Sequence, residues 1–232
     1  MKTGVLVHGC HLEAYDWRGI AWGYPDRNEL GRIPKGVLVA LETNADLLVF
    51  GTGASCRLVE EDGQQIVKRE GEYTLGFLLR RFEELAEFKA FEGVDLAALR
   101  KRVEGIAVAD VDSMNTEQEV RNAARMFLRQ GIEGMVLVSS PTHLPRCLRD
   151  ACAALVGEEF RSLRQHLLAT PSDSCYLGSR AENVVIFEPP HRADRHSQPL
   201  HLNAQRLLRI PEHHLDRFLK RLDGILQEEF QV

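Results

Sequence analysis

GMVLVSSPTHLPRCLRDA, residues 134–151, is the stretch whose reading decides the fold. An apolar run with the character of a buried strand breaks off into Ser139, Ser140, Pro141, Thr142 and His143, and a helix starts at once with Arg146 in its first turn. Strands buried on both faces read as continuous apolar runs, and a strand feeding directly into a helix is half of a βαβ unit.

The same alternation extends in both directions. TGVLVHG (3–9), ADLLVFGTGAS (45–55), GIAVAD (105–110), HLLATPS (166–172) and ENVVIFEPP (182–190) read as further strands. Helical periodicity marks the second half of 27–42, then 74–91, 95–105, 116–131 and the run through CLRDACAALVG, residues 147–157. The segment 211–230 reads as an amphipathic helix with Pro211 at its start. RLVEEDGQQIVKR (57–69) alternates around Asp62-Gly63, a hairpin pattern. The expected architecture is an α/β fold with a doubly wound, mostly parallel sheet and a helical and hairpin insertion. A single domain spanning 1–232 is expected, with that insertion at about 57–105 and a C-terminal extension at about 175–232. The Pro-, His- and Arg-rich stretch 189–199 reads as a long surface loop.

Of 232 residues, 44% are hydrophobic and 27% charged, with a formal net charge of -5. The basic residues are interspersed with acids, so no broad positive field is present to hold nucleic acid or anionic lipid. The five cysteines are scattered, without a C-x-x-C pair or zinc-ligand spacing, which speaks against a disulfide framework or a structural metal. The first strand begins within a few residues of Met1 and no apolar run reaches about 18 residues. A cytoplasmic location with no membrane partner is therefore expected.

In parallel sheets, ligands bind outside the carboxyl ends of the strands. Those ends carry His8-Gly9-Cys10-His11, then Gly51-Thr52-Gly53-Ala54-Ser55, then Asp110 through Thr116, then Ser139 to His143 with Arg146 following. The glycine turn lacks the last glycine of G-x-G-x-x-G, because Cys56 stands there. It still offers backbone N–H groups to an anion, and a plain tight turn is the competing reading. Thr116 and Glu119 fit a capping box, which leaves Ser113 and Asn115 for ligand contact. His143 and Arg146 share one side of a first helical turn and suit a phosphate or carboxylate. Pairing of Arg146 with Asp150 is the alternative.

These strand-end residues resemble the YdcF/SanA-like family, a bacterial group with a Rossmann-like fold. The matching positions are Gly9, Arg32, Gly51, Gly53, Ser55, Asp110, Ser113, Asn115, Thr116, His143 and Arg146, with Glu72 standing in for the family's acidic residue ahead of a helix. The resemblance implies a cleft. Membrane-anchored members are linked to envelope integrity, and this chain looks like the soluble branch, for which S-adenosylmethionine binding has been suggested.

The expected function is that of an enzyme, a hydrolase or transferase, acting on a small polar or anionic metabolite of phosphate- or nucleotide-like chemistry. His143 would be general acid or base, with Glu72 or Asp110 as carboxylate partner. Arg146 and the Gly51–Ser55 amides would hold the anion. Gly9, His11, Thr52, Ser113, Asn115, Thr116, Ser139 and Ser140 would complete the wall. Two alternatives stay open. One is a non-catalytic module binding S-adenosylmethionine or a nucleotide; the other is a metal-dependent hydrolase built on His8, His11 and an acid.

Overall fold

The computed structural model describes residues 1–61, 63–176, 178–179 and 210–230. The chain divides into two compact units, Met1–Val184 and Val185–Val232. The boundary falls within the C-terminal extension expected from about 175.

The first unit is a five-stranded sheet with every neighbouring pair parallel. Its strands are β1 (Thr3–Val7), β4 (Leu47–Phe50), β7 (Ala107–Ala109), β8 (Gly134–Ser139) and β9 (Leu167–Pro171), in the order β7-β4-β1-β8-β9. Each read as a strand from its apolar run; the proposed strand at 182–190 lies outside the described residues. The chain steps outward from β1 to β4 to β7, then returns to lay β8 against the other side of β1. The order reverses between β1 and β8, and their carboxyl ends form the crevice where such sheets take ligands.

Alternate residues of the strands serve two cores. Val5, Val7, Leu48, Phe50, Val136 and Val138 face one layer, and Leu6, Leu47, Val49, Met135 and Leu137 face the other. The first layer holds α1 (Trp17–Ala21), α2 (Arg32–Glu42), α3 (Glu70–Arg80) and α4 (Leu96–Ile106). The second holds α5 (Thr116–Arg129), α6 (Leu144–Ala154) and α7 (Arg161–Gln165). On the second side Phe127 is fully buried, and a Cβ on Gly4 would overlap its ring.

A two-residue ladder, β2 (Gly23–Tyr24) with β3 (Glu29–Leu30), precedes α2. Pro34 does not interrupt α2, because it falls in the first turn, where the missing N–H has no intrahelical partner. The hairpin forms as expected, β5 (Cys56–Glu61) with β6 (Gln64–Arg69), around Gly63 at φ +74°. One expected element is corrected. The helix at 74–91 is α3 starting earlier, at Glu70, followed by 3-10 turns at Phe82–Glu87 and Lys89–Phe91. Phe82, Leu85, Phe88 and Phe91 are all buried and recur every three residues, which is the 3-10 repeat and not the α repeat.

The second unit is described through α8 (Glu212–Phe230). Among the described residues no helix is long and apolar enough to cross a membrane.

Candidate functional site at the switch point

Arg32, the first residue of α2, runs under the crevice with its side chain 1% exposed. Its Nε donates to the Ser140 hydroxyl at 2.8 Å, Nη1 to the carbonyls of His8 (3.2 Å) and Gly9, and Nη2 to the Tyr176 hydroxyl at 3.3 Å. One guanidinium therefore ties the end of β1 to the end of β8 and to the segment after β9. A planar fork with five donors can do this; an ammonium cannot.

His8 leaves β1 fully buried, with Nδ1 2.7 Å from Glu119 Oε2. The other carboxylate oxygen accepts the Gly9 amide at 3.0 Å. Burial alone would lower the His8 pKa, but the Cys147 sulfur and the Glu119 carboxylate outweigh it and push it up to about 10. The ring is thus an imidazolium paired with a carboxylate. Its Nε2 is buried without a hydrogen-bond partner. The fit is close enough to exclude side chains nearby: a Cβ on Gly51 would overlap the Glu119 carboxylate, and one on Gly9 would overlap Glu70.

Glu70 opens α3 and is 1% exposed. The Ser55 hydroxyl donates to its Oε2 and accepts the Leu12 amide at 3.1 Å. Oε1 is buried without a partner. Burial raises the Glu70 pKa to about 7, with the Ser55 hydrogen bond and Arg32 opposing the rise and the Glu119 charge adding to it. The carboxyl can therefore take up or release a proton near neutrality.

His143 stands half-buried before α6, with Nδ1 2.9 Å from the Ser139 hydroxyl and 3.4 Å from Cys147 Sγ. Its ring meets that of His8 edge-on at 6.1 Å between centroids. Burial and the charges of Arg32, His8 and Arg146 all act in one direction, lowering its pKa to about 3. It is a neutral imidazole surrounded by three cations. Arg146 is the outermost of these, 56% exposed, 3.4 Å from the Thr116 hydroxyl and 3.6 Å from Asp150.

No protein-family model, no curated protein and no solved structure matches this chain.

The structure relocates several residues singled out from the sequence. Glu72 is exposed and accepts the Arg69 amide at 3.0 Å, capping α3; the carboxylate that enters the crevice is Glu70, two residues earlier. Asp110 is buried but occupied locally, accepting the amides of Asp112 and Ser113 and the Ser113 hydroxyl. Ser113 also accepts the Asn122 amide group at 2.9 Å, so it faces inward and not toward a ligand. The glycine turn is a structural joint: Gly51 N–H donates to Val7, and Gly53 N–H and the Thr52 hydroxyl both donate to the Ser113 carbonyl. Those donors have no capacity left for an anion.

Asn115, expected to face the ligand, is the N-cap of α5 and accepts the Gln118 amide at 2.9 Å. Thr116 lies inside the helix with its hydroxyl toward Arg146. Glu119, assigned to the cap, is thereby free for His8 and Gly9. His11 is exposed and bonded to the Glu13 amide, apart from buried His8. Among the described residues no group of three His, Cys, Asp or Glu side chains is arranged to hold a metal. Ser139 and Ser140 do reach the crevice, where they orient His143 and Arg32.

Proposed function

We propose that the chain is an enzyme acting on a small anionic metabolite of phosphate- or nucleotide-like chemistry, bound at the carboxyl ends of β1 and β8. What carries this reading is the convergence of His8, His143, Glu70, Glu119 and Arg32 at the switch point, with two buried polar atoms left unpaired there. An orphaned buried polar atom costs about 1–3 kcal/mol, and a polar ligand at this site would supply the missing partners. The resemblance to the YdcF/SanA-like family supports the same location, since Gly9, Arg32, Ser55 and His143 all belong to it.

His143 is the proton-transfer group. The three cations around it attract an anion, and the anion in turn offsets them and raises the imidazole pKa. His143 then takes up a proton as the ligand binds and can deliver it to a leaving group. Glu70, titrating near neutrality, is the second acid–base group in place of Glu72. Arg146 meets the anion at the rim.

The test is thermal unfolding of wild type, Arg146→Ala and His143→Gln against inorganic phosphate, nucleotides, sugar phosphates and S-adenosylmethionine, followed by turnover assays on any binder. A ligand at a hundred times its Kd should add about 2.7 kcal/mol to wild type and much less to Arg146→Ala. His143→Gln should lower turnover about 10²–10⁴-fold. Affinity should fall as pH rises through the bound-state pKa of His143. Saturable binding with no turnover of any ligand would reassign the crevice to a binding module. The absence of any shift with anions would end the proposal.

A further inference from the structure

Strand β7 ends the sheet, and among the described residues no strand pairs with its outer edge. The Asp110 N–H donates to the Phe50 carbonyl, so Asp110 and Val108, two residues back, turn their backbone groups toward β4. The N–H and carbonyl of Ala109, between them, therefore point away from the sheet. Sheet edges are commonly guarded by a charge or a proline. The run Ala107-Val108-Ala109 carries neither.

Between this edge and α5 runs a groove. It is made of two adjoining hollows of about 230 and 250 Å³ that share Met126 and Arg129. Leu47, Val108 and Met126 supply its apolar lining, and Arg125, Arg129 and Asn122 line it from α5. Val108 packs toward the same layer as α5, so an added strand would send alternate side chains toward that helix.

The charges along the groove say what kind of strand it takes. Arg125 and Arg129 are exposed, and neither has an ion-pair partner among the described residues. One turn earlier on α5, Arg121 is already neutralised by Glu117 at 2.6 Å. Asp112 is the acid of the lining; it follows the carboxyl end of β7 and pairs with neither arginine. Residues four apart on a helix hold their Cβ atoms about 6 Å apart. Alternate residues of an extended chain share a face and repeat every ~6.6 Å. Two carboxylates at alternate positions of a strand thus match the two guanidiniums, while the strand's backbone meets the free groups of Ala109.

We infer that the β7–α5 groove is a docking site for an acidic peptide, bound in extended form as an added strand on β7 with carboxylates at alternate positions on Arg125 and Arg129. The site is separate from the crevice, which lies at the carboxyl ends of β1 and β8, so either assignment can fail without the other.

The test is fluorescence anisotropy of a labelled, acetylated peptide of alternating valine and glutamate, titrated with the full chain. Saturable binding is expected, with little or none for the same peptide carrying glutamine in place of glutamate. Arg125→Glu with Arg129→Glu should weaken binding about tenfold or more, because two attractions become repulsions at exposed sites that the fold does not depend on. That variant should instead take up the peptide of alternating valine and lysine. N-methylation of the central peptide amides should abolish binding, and hydrogen exchange at the Ala109 amide should slow when the unmodified peptide is bound. Failure of the glutamate peptide to bind, or binding indifferent to the arginine variant, overturns the inference. Equal binding of the N-methylated peptide, or full displacement by inorganic polyphosphate with Ala109 unprotected, overturns strand addition and leaves a surface that attracts anions without reading a backbone.

Discussion

Glu70 and His8 put opposite formal charges into one crevice, yet both make the fold less stable as pH rises. The Glu70 pKa is raised to about 7, so the folded chain holds a proton there that the unfolded chain releases near its ordinary value of 4.5. Its contribution is fully present below 4.5 and disappears as pH rises through 7. A displacement of roughly two to three pKa units corresponds to about 3 kcal/mol. His8, raised from 6.5 to about 10, is likewise protonated in the folded state and loses its contribution between those limits. Glu70→Gln removes the first effect and leaves the second. Urea unfolding at pH 5, 6, 7 and 8 should show the variant gaining on wild type by about 3 kcal/mol across the range. Parallel pH profiles for the two proteins would sink the assignment. The sequence concealed Glu70 for a physical reason: it follows an exposed hairpin strand, where a carboxylate reads as surface. Only the packing of Ser55 and Gly9 around it turns it inward.

At the scale of elements, α5 shows how a register error of one residue misplaces a functional side chain. Thr116-x-x-Glu119 and Asn115-x-x-Gln118 both satisfy the spacing of a helix start. The sequence alone favours the first, and the structure adopts the second, with Asn115 accepting from Gln118 N–H and the Gln118 side chain accepting from Met114 N–H. What decides between them is tertiary: Glu119 is drawn to a buried imidazole more strongly than to an exposed cap. Asn115→Ala should therefore cost about 1 kcal/mol by denaturant unfolding. Thr116→Ala should cost less, because its hydroxyl makes only a long contact with Arg146. The reverse ranking would return the cap to Thr116 and leave Glu119 without its role. The 3-10 segment after α3 has the same character. Its three-residue apolar repeat was present in the sequence but was averaged into a helical pattern by the charged residues between.

For the whole molecule, the strand ends were legible because parallel sheets take ligands at their carboxyl ends, and Gly, Ser and His there stand out against Val and Leu. The five main strands and the reversal between β1 and β8 follow from that alternation and from β8 pairing back onto β1. The partner assignments were not legible, because they join distant segments. His8 meets Glu119 across 111 residues, Arg32 meets Ser140 across 108 and Tyr176 across 144. No local pattern encodes such contacts. The Gly9 amide, held by Glu119, should exchange with solvent only when the whole unit opens, as slowly as the amides of β1 and β8. Faster exchange than those strands would mean that the crevice opens by itself.

The Arg32 brace also has a meaning during synthesis. Its four acceptors leave the ribosome in the order His8, Gly9, Ser140, Tyr176, and the last comes late in the first unit. Until Ser140 has emerged, the Arg32 guanidinium has only the His8 and Gly9 carbonyls to bond, and the brace is incomplete until Tyr176 follows. The brace is completed at one point along the message, once the segment after β9 has emerged.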